Sequence, residues 1–590
     1  MTKKLWSAAA PALGLMAALG LAACNDSSTD APAGDVRVEV AESRPGTQQH
    51  VVLTSAVDGA DISFELFEPD QLEVGKSYPL VLEGHGYGGS RQTARSGFIA
   101  RLTAAGYYVI SIDQRGFGDA GGTVRVMSPD FEGQDLIQIL DWAEDLPGLA
   151  REGDGNMRLG AYGSSYGGGY QFLLNGADPK NRLDALAPDI TWHDLRYSLN
   201  PNNVVKSGWV LFLTAGGEAG SQLQQDLFIR EGLLQGVITN NFPEPLSNLF
   251  AYHSPIYHCD QQEFLPQDFL LATSDPGNVA SREPPKVDVL ITQGVRDVLF
   301  NLNEAVANYD CYRRLGGDVR LLTHESGHIL PVALPEALRA PLDPLYALVN
   351  LPEFQNPGGP RDCGDINLGD AQFAWFEEKL RDQRGAVDAV ISTGSDVCFS
   401  LGTADAIALP DVPRGGTDVT VDGTIPQLNS VLGIAGSLLG NGLRDVLLAD
   451  IPLGTAGPDG AVLAGLPQMA LTIEGLSGLE MASCALPVLA LACDPIYLLA
   501  LSVQSADGVR RGVIDDQLTP IRGFGAHGTL DAPMDMTGIA ERLQPGDQLF
   551  LQVYGFHLQF PVTWSRDLLV PASSISGTVS LPVVAGSLDG

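Results

Sequence analysis

The chain has 590 residues, of which 44% are apolar and 18% charged. This composition is typical of a globular protein, and the length exceeds what one hydrophobic core organises, so we expect at least two domains. With 35 basic against 71 acidic residues, the formal net charge is −36, which argues against a nucleic-acid partner because no basic surface is available for phosphates.

The start of the chain has the pattern of an exported, lipid-modified protein. Two lysines at positions 3 and 4 precede an apolar run over residues 5–21, and the run leads into Leu-Ala-Ala-Cys, which resembles a bacterial lipobox. A transmembrane helix is the alternative, but the run is short and rich in small residues. We therefore expect residues 1–23 to be a signal peptide and Cys24 to carry a lipid.

The lipid on Cys24 is expected to hold the protein at a membrane of the cell envelope through a polar tether, residues 24–48. The outer membrane is preferred because Asn25, rather than an aspartate, follows the cysteine. The protein is thus predicted to be exported and lipid-anchored.

Six further cysteines follow Cys24, and an even number in an exported protein suggests disulfides. Cys484 and Cys493 are close in sequence and form the expected pair. Metal ligation is the alternative, but no Cys-x-x-Cys motif or clustered histidine supports it. The other four are Cys259, Cys311, Cys363 and Cys398.

A predicted hairpin, residues 51–53 and 62–67, opens the folded region around an Asp-Gly turn. A buried strand at residues 78–83 then runs into His-Gly-Tyr-Gly-Gly-Ser at residues 85–90. In α/β-hydrolases a turn of this kind after the third strand forms one side of the oxyanion hole. Taken alone, the motif is also compatible with an ordinary glycine turn.

Helices and strands alternate beyond this turn. The pattern predicts a helix at residues 96–105, a strand at residues 107–113 and an amphipathic helix at residues 132–144. In the glycine-rich loop after that strand we expect a charge-assisted contact between Asp113 and Arg115. The alternation predicts a doubly wound parallel α/β sheet.

The sequence Gly-Ser-Ser-Tyr-Gly at residues 163–167 fits Gly-x-Ser-x-Gly, the nucleophile elbow of α/β-hydrolases. A predicted strand at residues 157–162 precedes it and a predicted helix at residues 165–174 follows it. The glycines remove Cβ atoms that would collide in so tight a turn. Ser165 is therefore the candidate nucleophile and Tyr166 a backbone donor to the oxyanion hole, although the pentapeptide alone also fits an unrelated glycine-rich loop.

Two later predicted strands supply the partners that such a serine needs. The first, residues 287–292, is followed by Asp297, and the second by His324 and His328. Ser165, Asp297 and His328 stand in the chain order of α/β-hydrolase triads. Taken alone, Asp297 is better explained as a helix N-cap or as an acid in a surface turn. His324 competes with His328 for the role of base, for which His328 is preferred.

Residues 190–283 interrupt the alternation with apolar runs, which favour a helical cap over a linker. A predicted helix at residues 371–384 closes the hydrolase domain, which we place at residues 49–389. From residue 390 to residue 590, short alternating strands divided by turns predict an all-β sandwich.

Four stretches together resemble the Xaa-Pro dipeptidyl-peptidase and cocaine-esterase family of serine hydrolases. They are His-Gly-Tyr-Gly-Gly from residue 85, Asp-x-Arg-Gly-x-Gly from residue 113, Gly-Ser-Ser-Tyr-Gly-Gly from residue 163, and residues 188–195. The resemblance is strong over residues 78–200 and diffuse afterwards. It implies an α/β-hydrolase domain, a helical cap inserted after the sixth strand and a C-terminal jelly-roll domain.

The same resemblance implies that a tyrosine hydroxyl from the turn after the third strand completes the oxyanion hole. Tyr87 stands at the matching position. The backbone amides of Tyr87 and Gly88 remain alternative donors.

The sequence thus predicts a serine hydrolase that works through an acyl-enzyme and needs no metal or organic cofactor. An esterase or broad acyl hydrolase is favoured, because such an enzyme needs only an apolar acyl pocket. Trp192, Trp209 and Phe212 are the candidate walls of that pocket. The expected partners are a small ester or peptide substrate and, through the N-terminal lipid, a membrane.

A dipeptidyl-peptidase is the alternative within the same chemistry. It needs a carboxylate to hold the free amine of its substrate, and Glu218, Asp226 and Glu231 are the candidates in the cap. A surface-binding lipoprotein on an inactive hydrolase scaffold is the non-enzymatic alternative. The sequence leaves the oligomeric state open.

Overall fold

The computed structural model describes most of the chain from residue 38 onward. The candidate lipid site Cys24 and the expected Cys484–Cys493 pair lie outside the described residues. The described ranges are 38–153, 155–260, 275–329, 361–391, 395–426, 445–475, 496–508, 511–522, 527–529, 534–557, 559–561 and 573–589. Within these ranges, no helix combines the length and the apolar character needed to cross a bilayer.

Fourteen strands lie in the described residues of the α/β portion. They are β1 (Arg44–Pro45), β2 (Gln48–Thr54), β3 (Asp61–Phe67), β4 (Gln71–Leu72), β5 (Leu80–Gly84), β6 (Tyr108–Ile112), β7 (Leu159–Ser164), β8 (Ala185–Asp189), β9 (Asp288–Gly294), β10 (Val319–His324), β11 (Asp362–Cys363), β12 (Ile366–Asn367), β13 (Val397–Gly402) and β14 (Asp405–Leu409).

Ten of these strands form one sheet in the order β14-β13-β10-β9-β8-β7-β5-β6-β3-β2. The run from β13 to β6 is parallel, while β14 at one edge and β3 and β2 at the other are antiparallel. Since the carboxyl ends of parallel strands meet at one edge of a sheet, the loops after β5, β7, β9 and β10 converge there.

Ten helices accompany the sheet in the part of the chain that the structure describes. They are α1 (Gly97–Ala104), α2 (Glu132–Ala143), α3 (Tyr166–Ala177), α4 (Leu195–Leu199), α5 (Ser207–Gly220), α6 (Leu227–Thr239), α7 (Glu244–Tyr252), α8 (Ile256–Cys259), α9 (Leu302–Arg314) and α10 (Leu368–Arg381).

Helices cover both faces of the sheet, because strands buried on both sides need apolar partners on both sides. Along β5, Leu80 and Leu82 belong to the core beneath α2, α3 and α9, whereas Val81 belongs to the core beneath α1 and α10. The expected doubly wound α/β-hydrolase architecture is confirmed.

A helical cap, α4 to α8, is inserted between β8 and β9. It is joined to the α/β portion by the disulfide Cys259–Cys311, which links α8 to α9. A second disulfide, Cys363–Cys398, links β11 to β13.

The C-terminal portion is all-β in its described residues. Its strands are β15 (Thr417–Ile425), β16 (Val446–Gly465), β17 (Gln468–Gly475), β18 (Ile496–Gln504), β19 (Arg511–Val513), β20 (Thr519–Arg522), β21 (His527–Thr529), β22 (Met534–Asp535), β23 (Ile539–Leu543), β24 (Gln548–Phe556), β25 (Ser573–Leu581) and β26 (Val583–Asp589).

Two antiparallel sheets organise these strands, one containing β15, β25, β17, β21 and β22 and the other the remaining seven. Leu471 and Val579 of the first sheet and Leu499 and Leu551 of the second belong to one buried core. This is the expected β-sandwich, and it has its own hydrophobic core.

Two expected boundaries were wrong. Strands β13 and β14 complete the ten-stranded sheet, so the α/β portion extends past residue 389 to Leu409. The segment expected to be a tether up to residue 48 already contains fixed structure, because β1 pairs with β4 and Arg44 forms an ion pair with Glu68. These strands are short, and their own sequences gave no sign of the distant strands with which they pair.

Candidate active site

Ser165 lies at the sharp turn between β7 and α3. Its backbone adopts φ 60° and ψ −119°, a conformation that costs free energy for a residue with a Cβ and is typical of a nucleophile elbow. A Cβ on Gly167 would lie 2.0 Å from the carbonyl oxygen of Gly84. Only glycine therefore allows the start of α3 to approach β5 so closely.

The structure brings Ser165, His328 and Asp297 together. His328 Nε2 is 2.9 Å from Ser165 Oγ, and His328 Nδ1 is 2.6 Å from Asp297 Oδ2. The imidazole thus bridges hydroxyl and carboxylate, which is the arrangement of a nucleophile, a general base and the acid that orients the base.

Asp297 is held by its own turn after β9. Its side chain is fully buried, Oδ1 accepts hydrogen bonds from the amides of Leu299 and Phe300, and Oδ2 accepts one from the amide of His328. These donors hold the carboxylate in place and satisfy its remaining lone pairs.

His324 takes a different role from His328. It is fully buried, and its Nε2 is 3.1 Å from Asp189 Oδ1. Ser164 and Thr292 donate their hydroxyls to the same carboxylate, and Arg361 forms an ion pair with it. Ser164 and His324 therefore belong to a second polar cluster behind the elbow.

Burial alone would raise the pKa of Asp189. The hydrogen bond and charge of His324, together with Arg361 and Ser164, outweigh that effect and hold the pKa well below its ordinary value. An ionised Asp189 at the end of β8 thus links β7, β9 and β10 directly beneath the catalytic loops.

The two expected oxyanion donors lie on either side of Ser165. Tyr166 is the first residue of α3, so its amide has no acceptor within the helix and remains available for a ligand. Tyr87 follows β5, and its ring meets those of Phe117 and Tyr166 edge-on at 5.1 Å in both cases.

The Tyr87 hydroxyl is engaged by the cap. It accepts a hydrogen bond of 2.9 Å from Gln225 Nε2, which leaves its own proton free to be donated. Burial raises the pKa of Tyr87 well above its ordinary value, so the phenol stays protonated. His85 stabilises the same turn, because its Nε2 accepts a hydrogen bond of 2.9 Å from the backbone amide of Gln114.

An apolar pocket opens beside Ser165, between the α/β portion and the cap. Its walls are aromatic and aliphatic side chains, and no charged side chain takes part among the residues that the structure describes. The pocket is formed by Tyr87, Val126, Ser165, Tyr166, Trp192, Leu195, Leu199, Leu213, Leu233, Phe250, Leu299 and Phe300.

Of the three aromatic residues expected in this pocket, Trp192 lines it. Trp209 instead covers the base, with its ring edge-on to His328 at 5.8 Å, and Phe300 contacts the same imidazole at 5.2 Å. Phe212 lies outside and contacts Trp209.

The three candidate carboxylates of the cap do not line the pocket. Glu218 pairs with Arg230, while Asp226 caps α6 and pairs with Arg125. Glu231 is exposed to solvent. None of them is among the residues that form the pocket beside Ser165.

The expected contact between Asp113 and Arg115 was wrong. Arg115 forms ion pairs with Asp58 and Asp135, whereas Asp113 pairs with Arg91. Ion pairs hold the loop in place as expected, but their partners are distant in sequence. A local sequence pattern does not identify such partners.

Sequence reasoning missed Val126, which enters the pocket from a loop with left-handed backbone (φ 59°) at a residue other than glycine. It also missed Gln225 as the partner of Tyr87. Neither residue carries a local motif. Across the described ranges, no group of three His, Cys, Asp or Glu residues could hold a metal ion.

Comparison with known proteins agrees with this geometry. Residues 58–330 match the family model of the X-Pro dipeptidyl-peptidases (S15 family). A curated relative, an uncharacterised 31.7 kDa protein of Escherichia coli, is 33% identical over 103 residues, 18% of this chain and 34% of that protein. The chain thus spans about a third of the length of this relative.

Two solved structures resemble nearly the whole chain. A CocE/NonD family hydrolase from Staphylococcus aureus gives a TM-score of 0.56 at 12% identity, covering 91% of this chain and 94% of that one. An aminopeptidase from a marine sediment Thaumarchaeota archaeon gives a TM-score of 0.56 at 13% identity, and the match covers 96% of this chain and 99% of that one. At such identities the likeness shows the shared fold.

Proposed function

Residues 58–330 belong to the X-Pro dipeptidyl-peptidase (S15) family and carry the site of a serine hydrolase, and on this premise we propose that the protein is an esterase for apolar acyl groups. The observation that carries the proposal is the pocket beside Ser165. Its described walls are apolar, and none of the described residues that line it carries a charge.

An apolar pocket favours an alkyl or aryl acyl group, since each buried methylene contributes about 0.8 kcal/mol of transfer free energy. A substrate with a free ammonium group would have to bury a charge there without a carboxylate partner, which is strongly unfavourable. The pocket is therefore suited to bind the acyl part of an apolar ester.

The first half of the reaction follows from the triad. Ser165 Oγ attacks the ester carbonyl while His328 Nε2 takes its proton, and Asp297 keeps the imidazole in the tautomer that accepts at Nε2. His328 then protonates the departing alcohol, which leaves the acyl group on Ser165.

The second half repeats the sequence with water as the nucleophile. His328 takes a proton from water, and the resulting attack frees the acid and restores Ser165. In both halves the negative charge on the carbonyl oxygen is stabilised by the Tyr166 amide and the Tyr87 hydroxyl.

A dipeptidyl-peptidase is the second candidate, because the matching family model bears that description. The pocket weighs against it, since Glu218 and Asp226 are engaged by Arg230 and Arg125.

Hydrolysis of p-nitrophenyl esters of increasing acyl length, measured beside Gly-Pro and Ala-Pro p-nitroanilides, tests the proposal. We expect kcat/KM to rise from acetate to butyrate and the anilides to be poor substrates. Efficient cleavage of the anilides with weak ester hydrolysis would assign the chain to the peptidases. Ser165→Ala provides the background for every substrate.

We also propose that the protein is exported and held by a lipid on Cys24, as the N-terminal sequence indicates. Cys24→Ser should abolish labelling with a palmitate analogue and either release the protein or leave an uncleaved precursor. Equal labelling of the variant would contradict this.

A further inference from the structure

Large apolar side chains are exposed on neighbouring elements of the cap. They lie on α5, on the loop after it and on α6, and we call them the cap face: Leu211, Phe212, Leu223, Leu227 and Leu234. Leu223 is 74% exposed and Leu227 is 59% exposed. Single exposed leucines are ordinary, but a group of this kind marks an interaction surface.

The outward sides of these helices carry little charge. On α5, Leu211, Ala215 and Ala219 are spaced four residues apart and all are exposed. On α6, Leu227 and Leu234 share an exposed side with Glu231. The exposed polar residues beside these leucines are the uncharged Gln222, Gln224 and Gln235. A surface of leucines and glutamines with one exposed acid, on a chain of net charge −36, favours contact with a neutral lipid phase over an anionic one.

The loop that carries Leu223 is held firmly in place. Gln225, two residues further on, donates a hydrogen bond to the Tyr87 hydroxyl. The loop also pairs with Val124: the Val124 amide donates to the Gln224 oxygen at 2.9 Å, and the Asp226 amide donates to the Val124 oxygen at 3.0 Å.

Leu223 itself has left-handed backbone, with φ 69°. This conformation is unfavourable for a leucine, so surrounding contacts must impose it. The fold thus maintains an apolar side chain in solvent at a cost in stability, which points to a function.

The cap face continues into the active site. On α5, Leu213 lines the acyl pocket while the adjacent Phe212 lies outside, and on α6 Leu233 lines it while Leu234 lies outside. The ring of Phe212 contacts that of Trp209 at 5.8 Å. Trp209 in turn covers His328, so apolar contacts run from the surface to the catalytic base.

We propose that the cap face docks the protein on the surface of an aggregated, water-insoluble ester, from which acyl chains pass into the pocket. This inference rests on the proposed esterase function and names the physical form of its substrate. Docking there places the entrance of the pocket against the lipid phase, so that the acyl chain need not cross water.

The test compares tributyrin below and above its solubility limit, in a Cys24→Ser background that carries no lipid of its own. Leu223→Ser combined with Leu227→Ser should lower the rate on emulsified tributyrin by about tenfold or more, since two exposed leucines lose their burial in lipid. The rate on dissolved tributyrin should stay within about twofold.

Val52→Ser combined with Val74→Ser is the matched control, because these valines are 51% and 60% exposed and lie outside the cap. The control should leave both rates unchanged. An unchanged emulsion rate in the Leu223/Leu227 variant would overturn the inference. The inference would also be overturned if the wild-type protein were a dimer and the Leu223/Leu227 variant became a monomer with an unchanged emulsion rate. The cap face would then be the contact between two copies.

A binding measurement separates this inference from the proposed function. Ser165→Ala protein in the Cys24→Ser background should float with triolein droplets coated with phosphatidylcholine, and the Leu223/Leu227 substitutions should abolish flotation. Absence of ester hydrolysis by the active protein would overturn the proposed function alone, whereas absence of flotation would overturn the docking surface alone.

Discussion

Gln517, in the C-terminal sandwich, holds the backbone of Asp297, the carboxylate that contacts His328. Its Nε2 donates to the main-chain oxygen of Asp297 at 3.0 Å and to that of Val295 at 2.8 Å. The adjacent Asp516 forms an ion pair with Arg296 of the same turn. The sandwich therefore supports the turn from which Asp297 orients the base.

Replacing Gln517 should impair catalysis from outside the α/β portion. Gln517→Leu leaves two buried carbonyls unpaired, at a cost of about 1–3 kcal/mol each, and we expect the turn to shift and kcat to fall about tenfold. Steady-state kinetics with p-nitrophenyl butyrate measures this, with KM changed less than kcat.

Gln552→Leu is the control for that experiment. Gln552 is a buried glutamine of the sandwich whose Nε2 donates to Asp450 in the same sheet. Its replacement should lower the melting temperature but spare kcat. Equal kcat values for the two variants would show that Gln517 has only a structural role.

The elbow offers two neighbouring serines with different partners. Ser165→Ala removes the hydroxyl beside His328 and should lower kcat by three or more orders of magnitude, roughly the loss typical of triad serines. Ser164→Ala removes a donor to Asp189 and should cost about tenfold or less. Fluorophosphonate labelling, absent only in the first variant, checks the assignment.

Replacing His324, the last residue of β10, should have a different effect from replacing His328. His328→Ala should abolish turnover while the melting temperature stays near that of the wild type. His324→Ala leaves Asp189 buried with one partner fewer and should lower stability by a few kcal/mol, roughly the cost of disrupting a buried charged network. Urea denaturation beside kcat distinguishes them, and loss of stability in the His328 variant alone would reverse the roles.

The triad was predictable because its geometry is encoded locally. The glycines around Ser165 dictate a strand–turn–helix, and parallel strands bring the residues that follow β9 and β10 to the same edge as Ser165. His328 was preferred over His324 from the sequence, and the structure adds that His324 is committed to Asp189.

The contacts made by distant segments were not predictable. Arg115 had an acid two residues away in sequence, yet it pairs with Asp58 and Asp135. Asp297 gave no sign that Gln517, 220 residues later, would support it. Such pairs depend on how whole layers pack, whereas sequence patterns report the periodicity of single elements.

The last prediction concerns Lys206, a buried lysine directly before α5 in the cap. Its Nζ donates to the main-chain oxygen of Leu299 at 2.8 Å, two residues beyond Asp297. Burial lowers the pKa of Lys206 to about 8, against the attraction of Asp297 and Glu304.

The sign of the pH dependence follows from this lowered pKa. Between pH 8 and the ordinary lysine value of 10.5, the unfolded chain binds a proton at this lysine that the folded protein has released. The contribution of Lys206 to stability therefore rises with pH across this window, by at most about 1.4 kcal/mol per pH unit, and is constant below it.

Lys206→Met keeps the buried stem and removes the titrating group. The difference in unfolding free energy between wild type and this variant should be constant from pH 6 to 7 and should shift in favour of the wild type from pH 8 to 10. Urea denaturation at each pH measures it. Lys180→Met, at an exposed lysine three residues after α3 whose pKa is raised by Glu144, should show no such rise in that window. A pH-independent difference for Lys206→Met would mean that Lys206 stays charged in the folded protein throughout.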